Sequence, residues 1–301
     1  MNFRIVKNLA ECEKLWNKFS PKKTLWDLWQ VVFSFYNPEI NAPFFIVLVK
    51  NGKDDGLLPL WYDSSEECYY FFGGEYPENR RFWFDLSFFN DVIKQIPEHF
   101  NMFEINKNEI GNIPKDVLVK IDYEFETSTK RYFLDVEKFG YDIESYLKTF
   151  NKKHRKNLRY DLKQLEKLNY NLVFEQNEHF DDFVMLSVKR FGNDSDLSDG
   201  AFVGQMRQFV RYLSENNMLH TISIEIEGKI QGIEFAAVYN NVYYVLNGAS
   251  NPEIENLGKL LIMSHIKNAI KLKAKEVDFL SSETGGWKKL WNCEEEEYYD
   301  Y

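Results

Sequence analysis

Between residues 242 and 291 the spacing of apolar and polar positions changes twice, and each change marks an element. Val242–Leu246 is a run of β-branched and aromatic residues, the pattern of a buried strand, and Asn247-Gly248 closes it. From Leu257 the period turns helical: Leu257, Leu260, Leu261, Ser264 and Asn268 fall on one stripe, with Ile262, Ile266, Ala269 and Ile270 beside it. Asn256 stands where an N-cap is wanted, and Lys271, Lys273 and Lys275 place positive charge at the end favoured by the helix dipole. Glu276-Val277-Asp278-Phe279-Leu280 returns to a strand pattern. A strand–helix–strand unit of this length predicts parallel neighbours joined by a right-handed crossover. The helix N-terminus then opens at the carboxyl end of the first strand, where free N–H groups can hold a phosphate, and Gly258 clears the approach.

The same periodicities divide the rest of the chain. Ile143–Leu168 predicts one long helix with Leu147, Phe150, Leu158, Leu162 and Leu165 as its apolar stripe. Asn171–Glu175 predicts a strand, Phe180–Arg190 and Phe202–Asn216 helices, and Leu219–Ile226 with Ile230–Tyr239 a hairpin across Glu227-Gly228-Lys229. Earlier, Glu11–Phe19 and Leu25–Phe35 read as helices. Phe44–Val49, Leu57–Tyr62, Cys68–Phe72, Phe100–Ile105 and Tyr132–Val136 read as strands. Helices and strands are mixed throughout, so the expected class is α/β with a mixed sheet, in two domains, 1–140 and 141–301.

Composition narrows the function. With 44% apolar and 28% charged residues, the 301-residue chain has the make-up of an ordinary globular protein. A net charge of −10 argues against a general nucleic-acid binder, so no DNA partner is expected. Cys12, Cys68 and Cys293 lie far apart without zinc spacing, so no metal is expected and the thiols suit a reducing compartment. MNFRIVKNLA has no apolar core of a signal sequence and no membrane span is visible, which makes a cytoplasmic location the expectation. Aromatic pairs such as Tyr69-Tyr70, Phe71-Phe72, Trp83-Phe84 and Phe88-Phe89 suit core packing first, and an acceptor groove second.

Several residues carry candidate chemistry. Lys148 to Lys167 holds eight Lys/Arg against two acids, and Arg155 and Arg159 lie four apart, on one helix face, where they can clamp an anion or simply face solvent. Glu234 stands inside an apolar strand with Gly232 and Ala236 on its own face. Partial burial there would raise its pKa towards that of a general base, although a structural hydrogen bond would use it equally well. Asp278, on the strand after the helix, is a second candidate base, or a cap or salt-bridge partner of a neighbouring lysine. Lys288 follows Gly285-Gly286 and can meet a developing oxyanion or remain an exposed helix-start lysine. Asn247 and Ser250 bracket Gly248 and can add donors beside it. The five histidines form no H-E-x-x-H, and no G-x-S-x-G, G-x-G-x-x-G or P-loop is present.

Gly248 after its strand, the Asn256-Leu257-Gly258 helix entry, Val277-Asp278-Phe279, Trp287-Lys288 before Trp291 and the basic stretch Phe150–Arg159 together resemble the GNAT acyltransferase superfamily. The branch is that of the cellulose-biosynthesis-associated (CelD-type) acetyltransferases, related to the FemABX aminoacyltransferases. The superfamily's phosphate loop has several glycines, of which only Gly258 stands here. The resemblance implies tandem GNAT-like domains, the first degenerate and the second catalytic. It implies acetyl-CoA or another acyl-CoA as donor, held by Asn247, Gly248, Asn256, Leu257, Gly258 and Lys259. Glu234, Asp278 and Lys288 become the catalytic candidates, and Arg155, Arg159 and Trp287 the contacts to the acceptor. That acceptor would be the amine or hydroxyl of a small molecule, sugar or peptide, attacking the acyl carbon directly. The alternatives are transfer from aminoacyl-tRNA, for which the basic stretch argues, and a binding protein that has lost catalysis, for which Glu253 and Glu255 beside the phosphate position argue.

Overall fold

The computed structural model describes residues 2–97, 99–118, 125–174 and 179–301. Contacts divide the chain into two units, the first Met1–Arg131 with Ser281–Thr284 and Glu296–Tyr301, the second Tyr132–Leu280 with Gly285–Glu295.

In the first unit the elements are β1 (Asn2–Val6), α1 (Leu9–Phe19), α2 (Trp29–Phe33), β2 (Asn41–Lys50), β3 (Lys53–Asp63), β4 (Cys68–Phe71), α3 (Phe89–Ile93), β5 (Phe100–Asn101), β6 (Ile105–Asn106), α4 (Lys107–Gly111) and α5 (Lys115–Leu118). The sheet runs β1-β2-β3-β4-β5, with β2 and β3 turning through Asn51 and Gly52, both at positive φ. Alternation along β2 sorts the core: Phe44, Ile46 and Leu48 join one apolar cluster with Tyr69, Phe71, Phe84 and Phe89, while Phe45 packs with Trp16, Trp29 and Phe72. The expected helix Leu25–Phe35 is broken. Asp27 turns its carboxylate back to accept the N–H groups of Lys23 and Thr24, each at 2.8 Å, and Leu28 is extended, so a single 3₁₀ turn precedes α2.

The second unit runs from the end of β7 (Glu126–Asp135) to the start of β13 (Glu294–Asp300). Between them lie α6 (Ile143–Lys148), α7 (Lys152–Leu165), β8 (Asn171–Phe174), α8 (Phe180–Phe191), α9 (Gly200–Glu215), β9 (Leu219–Ile226), β10 (Lys229–Tyr239), β11 (Val242–Ser250), α10 (Leu257–Lys271) and β12 (Glu276–Ser282). Strand neighbours run β7-β12-β11-β10-β9-β8, with β11 and β12 parallel as the crossover pattern requires. The predicted strand Asn171–Glu175 is found as β8, and Glu175 lies outside the described residues. The predicted long helix Ile143–Leu168 is two helices. Thr149 Oγ1 turns back to the Tyr146 carbonyl at 2.7 Å, and Asn151 caps a new start by accepting the His154 N–H at 2.8 Å. The acidic C-terminal stretch forms β13, whose Tyr298 and Tyr299 pair with Asn106 and Ile105 of β6 within the first unit. Among the described residues no helix is long and apolar enough to cross a membrane.

On one face of β10, Phe235 meets Phe180 and Phe183 of α8. On the other, Ala236 joins Tyr243 and Val245 of β11 in the cluster formed with Ile262, Met263 and Ile266 of α10 and Leu147, Phe150 and Leu158 of α6, α7 and the link between them. Glu234 shares this second face, which places a carboxylate beneath α10.

Candidate active site

The central feature is a parting of strands. β11 pairs with β12 only over Val242–Tyr244, opposite Glu276–Asp278, while its pairing with β10 continues to Ser250. Both strands depart from regular geometry there: β11 carries an extra residue between Val245 and Gly248, and β12 turns at Leu280. Leu280 adopts φ +63°, a left-handed conformation unfavourable for a branched side chain, and turns the strand away. The buried Asp278 holds that turn by accepting the Leu280 N–H at 2.9 Å, and Lys288, also buried, donates to the Leu280 carbonyl at 3.2 Å. Thus Asp278 and Lys288 do meet, around one residue, but as supports of the backbone. Lys288 is not an exposed helix-start lysine; its ammonium lies 5.9 Å from the ring centres of Tyr132 and Trp287. Gly285 allows this packing, since a Cβ there would lie 2.3 Å from the Tyr132 hydroxyl. Trp287, 44% exposed, stands edge-on to Phe279 and offers an apolar surface beside β12.

Beyond Tyr244, therefore, one edge of β11 is not paired with β12, and it leads to α10. Asn256 precedes that helix at φ +69° and does not cap it with its side chain. This differs from the expected N-cap: Asn256 Oδ1 instead accepts from Lys259 Nζ at 2.9 Å, and the same ammonium pairs with Asp161 of α7 at 2.6 Å. The first-turn N–H groups of α10 so remain available for an anion. Gly258 faces open space, with nothing within 4 Å of where a Cβ would stand, and Leu257 is buried as an anchor. Glu253, a source of repulsion on sequence grounds, pairs with Lys189 of α8 at 3.1 Å. Arg190 donates to Ser250 Oγ at 3.2 Å, at the end of β11. The sequence reading did not single out Lys189 or Arg190, because their link to Glu253 and Ser250 spans some sixty residues.

Glu234 is paired in register with Gly248 on the parted section of β11, just before the β10–β11 register shifts. Its side chain crosses Gly248 so closely that a Cβ there would stand 2.8 Å from Cγ and 2.9 Å from Oε1. The other oxygen, Oε2, lies 3.6 Å from Nε2 of His265, a wholly buried residue of α10. Burial pushes the Glu234 pKa up from 4.5 to about 8. Burial likewise pulls His265 down to about 3, against the opposing effect of the Glu234 backbone carbonyl, so the ring is neutral. His265 was visible in the sequence only as one of five scattered histidines. Its signal was a polar residue on an otherwise apolar helix face, between Leu261 and Ala269.

Arg155 and Arg159 do share a face, and that face turns to α6. Arg155 donates to the Leu147 carbonyl at 3.4 Å, and Arg159 pairs with Glu144. The two arginines therefore have partners within the unit, Arg159 through an exposed pair that contributes little stability. Lys152, Lys153, Lys156 and Lys163 of α7 are exposed, as is Arg159.

Residues 152–289 match the family described as Acetyltransferase (GNAT) domain. No curated protein matches the chain. Among solved structures, FemX is similar at TM-score 0.65 and 13% identity, over 100% of this chain and 97% of that one. L-PGS from Bacillus licheniformis is similar at 0.61 and 10%, over 96% and 90%. A tandem GNAT protein from the clavulanic acid biosynthesis pathway is similar at 0.57 and 11%, over 100% and 98%. Residues 152–289 are therefore similar to GNAT acetyltransferase domains, and the mixed α/β fold is like that of FemX and of the tandem GNAT protein.

Proposed function

We propose that this GNAT-family acyltransferase moves an acyl group from acyl-CoA to an amine or hydroxyl by direct attack. The observation that carries the proposal is the free edge of β11 beyond Tyr244, running to the uncapped N-terminus of α10. An extended, amide-bearing donor can lie along that edge as an added strand, with its phosphates at the first turn of α10. Gly258 leaves that turn open, and Lys189 neutralises Glu253 beside it. Asn247 and Gly248 on the parted strand would flank the thioester. Asp278 and Lys288 keep the strands apart through Leu280, a positioning role in place of the catalytic one expected of them.

Glu234 is the candidate base. The acceptor nitrogen or oxygen forms a bond to the acyl carbon, the carbon–sulfur bond breaks, and the acceptor proton passes to the Glu234 carboxylate. The leaving thiolate takes a proton from solvent. Trp287 offers the acceptor an apolar wall.

Replacing Gly258 with Gln tests the donor site. A Cβ at this position meets no neighbour, so the melting temperature should not fall, while affinity for CoA by calorimetry should fall at least ~10-fold, or about 1.4 kcal/mol. Unchanged affinity would remove the donor from this helix end.

A second reading, transfer from aminoacyl-tRNA, is favoured by the exposed lysines Lys152, Lys153, Lys156 and Lys163 of α7. It predicts binding of charged tRNA that weakens steeply with added salt.

A further inference from the structure

We propose that His265 is the positioning residue for Glu234, presenting Nε2–H as the donor that receives the carboxylate once it has lost its proton. This rests on the reading of Glu234 as the base.

The hydrogen-bond chain accommodates the tautomer that this role needs. Asn268 Nδ2 donates to the Tyr243 hydroxyl oxygen at 3.2 Å, and that hydroxyl lies 2.8 Å from His265 Nδ1. An amide NH₂ only donates, so the phenol oxygen accepts it, and in the proposed arrangement the phenol proton is turned to Nδ1. A neutral imidazole then carries its single proton on Nε2, the nitrogen that faces Glu234. Neither Nε2 nor Glu234 Oε2 has a hydrogen-bond partner, and both are buried. Their separation of 3.6 Å is just too long for a hydrogen bond and suits a pair that closes when one member becomes charged. A donor that engages only the ionised carboxylate stabilises the state in which the base acts.

Besides the carboxylate, the ring feels the Glu234 backbone carbonyl, which favours its protonated form, and His220, which opposes it. β9 contributes His220, whose ring is 5.9 Å from that of Tyr243, and β11 contributes Tyr243. From α6, α7 and the link between them, Leu147, Phe150, Leu158, Leu162 and Leu165 cluster with residues of α10, and Asp161 is taken by Lys259 at the helix start. The two carboxylate oxygens are thereby given different tasks, Oε1 towards Gly248 on the parted strand and Oε2 towards His265 in the interior.

The test compares wild type with His265→Met, which removes the donor, and His265→Gln, which keeps an N–H near Nε2. Isotope-edited infrared titration of the glutamate carboxyl band reads the protonation of Glu234 without any turnover. The pH profile of kcat/KM with acetyl-CoA and an amine acceptor reads it during reaction. In His265→Met the Glu234 midpoint should rise by about one pH unit, with turnover at pH 7 down ~10-fold, KM for the donor unchanged, and the rate recovered at high pH. His265→Gln should restore most of the shift. Should His265→Met not fold, Tyr243→Phe removes the hydroxyl turned to Nδ1 in the proposed arrangement and should move the midpoint the same way. An unmoved midpoint in the folded variant overturns the proposal. Because the infrared titration needs no substrate, a shifted midpoint in a chain that transfers no acyl group would keep the coupling and discard only the base assignment.

Discussion

Replacing Glu234 with Gln should lower turnover by ~100-fold or more and leave acyl-CoA affinity almost unchanged. The side chain keeps its shape across Gly248, and only the group that accepts the proton is lost. The same substitution should change stability in the opposite sense. In the folded protein Glu234 holds its proton up to about pH 8, whereas the unfolded chain releases it near 4.5. A carboxyl raised in this way contributes its full stability below the unfolded value and loses it as pH climbs to the folded one. Between pH 4.5 and 7, therefore, Glu234→Gln should gain roughly 3 kcal/mol on the wild type in urea unfolding. Wild-type turnover should rise with pH through the region of 8, and the variant should lack that limb. A variant that turns over normally, or whose stability tracks the wild type at every pH, would clear Glu234 of the role.

Gly248→Ala should come close to this effect from the neighbouring strand. Gly248 is not in the left-handed region, so alanine brings no backbone strain, and its effect is purely one of space. Its Cβ would stand 2.8 Å from Glu234 Cγ and 3.0 Å from Cβ, atoms too near the backbone to step aside. The carboxylate must leave its rotamer and its contact with His265. A displacement of about 1 Å at a reacting group is worth on the order of 100-fold in rate. Steady-state kinetics beside circular dichroism would show a folded protein with that loss, whereas undiminished turnover would mean that Glu234 does not act across Gly248.

Much of this arrangement was legible because periodicity is local. The β11–α10–β12 crossover followed from spacing alone, as did the hairpin of β9 and β10. Glu234 was marked by its small same-face neighbours Gly232 and Ala236. What could not be read depended on partners distant in the chain. Asn256 looked like an N-cap until Lys259 was found to take its side chain. Arg155 and Arg159 looked like an anion clamp until α6 turned back at Thr149 and brought Glu144 to Arg159. Asp278 and Lys288 were marked for their chemistry, but no pattern of residue types announces that both hydrogen-bond the backbone of Leu280. Likewise His265 gained its place only through Tyr243, twenty-two residues upstream.

The measurement that bears most directly on the whole account is calorimetric titration of the wild-type protein with acetyl-CoA. The account predicts one saturable site per chain, with acetyl-CoA displaced by CoA, because both present the same diphosphate to α10 and the same amide-bearing arm to β11. No heat and no saturation at millimolar acetyl-CoA would contradict it.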